Sequence, residues 1–197
     1  RYDKDSTEHY DVISAFIKSM RGSDPQATTY YLALMLEAGE DIEFIARRII
    51  ICASEDVGNA DPQALQVAVA AAQAVKMIGM PEARIILAHA AITVASSPKS
   101  NAAYMAINKA MDDVSTKDTG EVPYYLRNPV AEGLKDIGYG DGYKYAHDYE
   151  GNVDDLEFLP DIMRGTKYYE PTLNSYEKRV SDYLKWVEEM KMRNRNK

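Results

Sequence analysis

Three pairs of titratable side chains lie close enough in the sequence to suggest acid–base chemistry: His9 with Asp11, Glu55 with Asp56, and His147 with Asp148. A histidine beside a carboxylate is a pattern that moves protons near neutral pH, and two carboxylates in unequal surroundings can divide acid and base roles. Adjacency argues against the second pair, because neighbouring residues on a helix point in different directions. The one cysteine, Cys52, falls on the apolar side of a helical repeat and reads as a buried, inert thiol. It excludes an internal disulfide and fits a reducing compartment. The sequence has no Gly-rich phosphate loop ending in Gly-Lys-Ser or Gly-Lys-Thr, no His-Glu-x-x-His or paired-cysteine spacing for zinc, and no Gly-x-Ser-x-Gly elbow. The expectation is therefore a chain with no catalytic, metal-binding or cofactor-binding residue of its own, and not an enzyme as it stands.

Charge narrows the partners. The net charge is −8, and residues 112–170 carry all of it, with 14 acids against 6 bases. Phosphate backbones need Lys and Arg, so that acidic middle is a poor nucleic-acid surface. The candidate DNA contacts are local: Arg47 and Arg48, and a basic tail of Lys191, Arg193 and Arg195 that is equally suited to pairing with a helix C-terminal dipole. Four tyrosines between residues 139 and 149 could stack on bases. Asp141, Asp148 and Glu150 among them favour a different use, with the rings covering a helical array and the hydroxyls reaching water. The longest apolar tract, residues 64–80, is interrupted by Gln66, Gln73 and Lys76, and no signal peptide opens the chain, so a soluble, cytoplasmic protein without a membrane span is expected. The chain begins at Arg1 without a methionine, in a charged turn, and reads as a fragment of something longer.

Helices must position these groups. With 197 residues the chain can bury about 70% of the surface its unfolded form exposes. The first helix is expected over residues 7–20, capped by Ser6, with Ile13, Phe16, Ile17 and Met20 on one face. Asp24-Pro25 opens a second that Gly39 stops. A third covers residues 41–53, with Ile42, Ile45, Ile49 and Cys52 on one side. Gly58-Asn59 then makes a corner in which both residues tolerate a left-handed backbone, and Asp61-Pro62 caps and starts the fourth helix. The fourth and fifth, residues 62–78 and 81–96, are apolar on nearly every face and are expected in the middle of a bundle, with His89 a hydrogen-bonded core residue. A sixth covers residues 101–114.

After Thr116, Gly, Pro, Tyr and Asp become dense and predict an irregular docked segment in which a short strand or two would fit. A last helix over residues 173–193 carries Leu173, Tyr176, Val180, Tyr183, Val187 and Met190 as a heptad seam, the candidate subunit interface. The expected fold is all-α, an antiparallel helical array followed by the Tyr/Gly-rich segment and a C-terminal helix, with residues 1–115 and 116–197 packed as one unit.

Read in order, the motifs resemble the C-terminal region of the replication-associated recombination protein A family (RarA, also called MgsA), whose eukaryotic counterpart is the Werner helicase interacting protein. The residues that carry the likeness are Tyr2-Asp3-Lys4 with His9-Tyr10-Asp11, Ser19-Met-Arg21-Gly22-Ser23-Asp24-Pro25, Ala46-Arg47-Arg48, Ala53-Ser54-Glu55-Asp56-Val57-Gly58-Asn59-Ala60-Asp61-Pro62, Pro98-Lys99-Ser100-Asn101, Leu126-Arg127-Asn128, and Gly138-Tyr139-Gly140 through Tyr145-Ala146-His147-Asp148. Tyr125 stands where the family pattern leads one to expect His. The resemblance implies a collar-like oligomerisation domain, forming a homotetramer, that follows the ATPase core of a clamp-loader-like, DNA-dependent AAA+ ATPase. ATP and Mg would belong to the missing ATPase part. It further implies work in DNA replication-fork maintenance, recombination and repair at the nucleoid, with DNA bound through the full-length protein and single-strand binding protein as a further partner. The alternative is a DNA-binding module built on the basic tail and the tyrosine segment.

Overall fold

The computed structural model describes residues 7–197, and those residues form helices and turns with no strand among them. The strand or two expected after Thr116 is absent from the described residues: short 3-10 turns and a five-residue helix stand there instead. Ser6 and the stretch Tyr2-Asp3-Lys4 lie outside the described residues. The chain divides into two compact units. One runs to Ala106 and takes in Pro171–Lys178, and the other holds Ile107–Glu170 and Arg179–Lys197.

The first unit is built from α1 (Thr7–Arg21), α2 (Pro25–Glu37), α3 (Ile42–Cys52), α4 (Gln63–Ile78) and α5 (Ala83–Ala95). Their starts follow cap chemistry. Asp24 accepts a hydrogen bond from the Ala27 amide at 2.9 Å with Pro25 at the first helical position, and Asp41 accepts one from Glu43 at 3.0 Å. Gly39 ends α2 with φ +77°, and the Glu40 amide returns to Met35 at 3.0 Å. Phe16, Met20, Met35, Ile45, Ile49, Val75, Leu87 and Val94 fill the centre and are fully buried. Each such side chain contributes about 1.5–3 kcal/mol by leaving water.

The α4–α5 hairpin departs from expectation. Ala64, Ala68, Ala71 and Val75 are buried along α4, and Ala83, Leu87, Ala90, Ala91 and Val94 along α5, but the opposite sides face solvent. Leu65, Val69 and Met77 are exposed on α4, Ile85 and Ile92 on α5. α5 packs against α1, α2, α3 and α4 and is central as expected, but both helices keep an exposed apolar side, so the all-round apolar pattern overstated their burial. His89 falls on the exposed side of α5 and is not a core residue.

The second unit holds most of α6 (Ala102–Thr116), the short α7 (Glu132–Asp136), the turns of residues 117–170, and α8 (Tyr176–Arg195) from Arg179 onward. Its buried apolar side chains are Val153, Leu156, Met163 and Met190. Polar and aromatic contacts order the rest. The Arg127 guanidinium lies 4.5 Å from the Tyr124 ring centre and 5.1 Å from that of Tyr139, and Nε donates to the Val122 carbonyl at 2.8 Å. The Tyr125 hydroxyl donates to the Glu157 carbonyl, so the tyrosine at this position has a partner of its own.

Candidate functional site

Three stretches widely separated in the sequence, residues 19–25, 53–62 and 98–101, meet in the first unit. The chain leaves α3 through a π-helical turn, Ala53–Val57, which apolar spacing did not reveal. That turn buries both Ala53 and Val57 and brings Asp56 inward. Arg21, the last residue of α1, donates from Nε to Asp56 Oδ1 at 2.9 Å and from Nη2 to Glu55 Oε2 at 2.8 Å. Glu55 and Asp56 therefore serve one guanidinium, each through a different nitrogen. The second Asp56 oxygen accepts the Cys52 thiol at 3.3 Å, and its backbone carbonyl accepts the Ser100 amide at 2.8 Å.

Lys99 closes the same region. Its ammonium donates to the carbonyls of Val94, Ala95 and Ser97 at 3.1, 3.0 and 2.6 Å and lies 3.0 Å from Ser23 Oγ. A cation here sits where the last carbonyls of α5 lack helical partners. Gly58 has φ +50°, and a Cβ on it would stand 3.1 Å from the Ser100 carbonyl, which explains why glycine occupies the corner. Asn59, which could also have tolerated a left-handed backbone, keeps a negative φ. Asp61 accepts the Gln63 amide at 3.1 Å, the capping role its position indicated.

The electrostatics are those of a closed structural node. The hydrogen bond to Asp56 raises the Arg21 pKa and keeps the guanidinium charged. Burial, with the Asp56 charge adding to it, pushes the Cys52 thiol up to about 12. Burial also lowers Lys99 from its ordinary value, with the neighbouring Cys52 and Asp56 opposing that change. The carboxylates are neutralised and the thiol stays protonated, so the node holds α1, the π-turn and the end of α5 in place and presents no nucleophile.

The other acid–base pairs separate. His9 Nδ1 lies 3.0 Å from Glu40 Oε2 in the first unit, and Asp11 is exposed. His147 and Asp148 are exposed on a 3-10 turn of the second unit. Among the described residues no group of three His, Cys, Asp or Glu is placed to hold a metal, and no helix is long and apolar enough to cross a membrane.

The candidate contact residues fall into two classes. Arg47 is exposed, with its guanidinium 5.9 Å from the Phe44 ring centre, and Arg48 is half-buried. The tail residues have partners inside the second unit. Lys191 donates to the Leu156 carbonyl at 3.0 Å and lies 4.9 Å from the Phe158 ring centre. Arg193 contacts the Met190 sulfur at 3.7 Å, and Arg195 pairs with Glu157 at 2.5 Å. Along the proposed seam Leu173 precedes α8, Tyr176 and Tyr183 are exposed, Val180 and Val187 are half-buried, and Met190 is buried. The exposed stripes Leu65, Val69, Met77 and Ile85, Ile92 were not singled out from the sequence. Their signal was the scarcity of charge between residues 63 and 95, where Lys76, Glu82 and Arg84 are the charged side chains apart from His89.

Comparison with known proteins adds the context of these motifs. The family described as MgsA AAA+ ATPase C terminal matches residues 22–188. An uncharacterized AAA domain-containing protein of Mycobacterium tuberculosis is 52% identical over 93% of this chain and 41% of its own length. The replication-associated recombination protein A of Bacillus subtilis is 45% identical over 86% of the chain and 40% of its own length, and that of Escherichia coli K12 is 42% identical over 96% and 42%. The chain thus spans about two fifths of the length of these curated relatives.

Proposed function

This chain belongs to the MgsA AAA+ ATPase C-terminal family, and we propose that it is the module through which a clamp-loader-like ATPase of replication and recombination assembles into a homotetramer. One observation carries the reading: the outward sides of α4 and α5 expose Leu65, Val69, Met77, Ile85 and Ile92 on helices whose other sides are firmly buried. Exposed apolar area on a rigid helical base supplies the driving force for subunit contact. The seam residues Tyr176 and Tyr183 offer a second, smaller apolar area on α8.

The residues present do not fit ATP and Mg, since the chain has neither a phosphate loop nor, among the described residues, a metal-ligand cluster. ATP binding and hydrolysis belong to the ATPase part of the longer protein, where DNA at forks and gaps and single-strand binding protein would also be engaged, in the cytoplasm at the nucleoid. Sedimentation of the purified chain at tens of micromolar tests the proposal. An oligomer that dissociates when Val69 and Ile85 are both replaced by Glu, but survives Tyr183→Glu, supports assembly through α4 and α5. A monomer in the unaltered chain would sink it.

A further inference from the structure

A groove of about 550 Å³ runs along the first unit between α1 and α3. Its α1 wall is one helical stripe, Tyr10, Ser14, Ile17, Lys18 and Arg21, and its α3 wall is Phe44 and Arg48, one turn apart. Among the described residues no carboxylate lines it. Two of its basic groups already have partners, because Arg21 holds Asp56 and Glu55 and His9 meets Glu40. Lys18 and Arg48 make no ion pair among the described residues, and the Arg48 Nε is buried without a hydrogen-bond partner. A buried guanidinium nitrogen left unsatisfied is costly and calls for an acceptor. Beside these cations the Tyr10 ring is 68% exposed, and Phe44 forms the opposing wall.

From this juxtaposition the geometry points to a binding site for a nucleoside phosphate, with the phosphate between Lys18 and Arg48 and the base against Tyr10 and Phe44. A phosphate matches the two cations in charge and supplies the acceptor that Arg48 Nε lacks, in the fork geometry a guanidinium favours. A base stacks on an aromatic face whatever its identity. The volume lies in the range of small-ligand sites and suits one nucleotide, not a folded partner. With no carboxylate among the described lining residues, the phosphate ester is taken without a divalent cation. The inference is independent of assembly, because every described lining residue lies in one unit of a single chain.

The ligand has two possible sources, a free nucleotide or the 5′-phosphorylated end of a nucleic-acid strand. Titrations of the full chain with adenosine 5′-monophosphate, with inorganic phosphate, and with a single-stranded oligonucleotide carrying or lacking a 5′-phosphate, followed by amide chemical shifts or calorimetry, test the site and separate the sources. Saturable binding of the monophosphate or the phosphorylated oligonucleotide, weakened about tenfold by exposed Lys18→Glu with an unchanged melting temperature, supports it. Arg48→Gln should weaken binding at least as much. Monophosphate binding alone assigns free nucleotide, and preference for the phosphorylated strand assigns strand ends. Equal binding of inorganic phosphate, binding indifferent to Lys18→Glu, or no saturation at millimolar monophosphate would each overturn it.

Discussion

In the five-helix region Phe16, Met20, Ile45, Ile49, Val75 and Leu87 lose essentially all contact with water, whereas over residues 117–170 the buried apolar side chains are Val153, Leu156 and Met163. The two regions are ordered in different ways. The first region rests on burial, with one polar node of Arg21, Asp56, Lys99 and Ser100 fixing its connections. The second relies on rings over guanidinium, tyrosine hydroxyls on carbonyls or carboxylates, and ammonium groups on carbonyls, as at Arg127, Tyr168 and Lys191. Burial is cooperative because each residue touches many others, while a polar contact at the surface contributes little on its own. Loss of one core group should therefore spread across its whole region, and loss of one group in the second region should stay local.

The largest effect that tests this contrast is Phe16→Ala, which should cost about 3–5 kcal/mol. Far-UV circular dichroism should show the helical transition at markedly lower denaturant. Trp186, the single tryptophan, lies in the second unit, and its fluorescence transition should move less. Equal displacement of both signals would show that the two regions unfold together and would remove the contrast. The next effect belongs to the second region. Gly151 has φ +68°, and a Cβ on it would stand 2.5 Å from the Trp186 ring. Gly151→Ala should cost about 1–3 kcal/mol through strain and the displaced ring. Trp186 fluorescence should change while the circular dichroism midpoint holds.

This difference also accounts for what the sequence made legible. Helices α1 to α5 follow from apolar spacing and caps because burial on one face leaves a periodic record, whereas α6 and α8, which is shorter by its expected first turn, were legible from the same spacing although Ala102 and Met190 are their only buried apolar side chains. The π-turn at residues 53–57 left no such record, since its extra residue is accommodated by the partners of Asp56, which lie 35 and 44 positions away at Arg21 and Ser100. The outward apolar stripes of α4 and α5 were misread as core because composition cannot tell a face that meets its own chain from one that meets solvent. Of the groove residues, Arg48 drew notice as a candidate DNA contact and Lys18 drew none, because what sets them apart, the absence of an ion-pair partner among the described residues, exists only in three dimensions. Residues 117–170 gave composition and no register, because contacts such as Arg127 on Tyr139 have no period.

A smaller effect sharpens the account of the first region. Asp61 accepts the Gln63 amide at the entry to α4, so Asp61→Ala should lower stability by about 1 kcal/mol, readable as a shift in the helical midpoint. If α4 carries subunit contacts, the same substitution should leave oligomer size intact, because it removes a cap and touches none of the exposed stripe.

The smallest effect at neutral pH comes from Cys52, and it appears only in base. The folded chain holds this thiol's pKa at about 12, against an ordinary 9.0, chiefly because it is buried and also because the Asp56 carboxylate faces it. A group whose pKa is raised on folding contributes stability that is fully present below its unfolded pKa and is lost as pH rises toward the folded one. Below pH 9.0 nothing should change, and from there to about pH 12 the unfolded chain ionises its thiol while the folded chain does not, so stability falls. Lys99, whose pKa is lowered by burial, contributes a slope of opposite sign in base, so the thiol's share is read as the difference between the unaltered chain and Cys52→Ala, which keeps Lys99. The two proteins should converge in denaturant midpoint as pH rises through that window, and the native thiol should stay unreactive toward disulfide reagents at pH 9.0. A constant difference across the window would show that neither burial nor the Asp56 charge raises the thiol in the folded chain, and the node would then rest on its ion pair and on Lys99 alone.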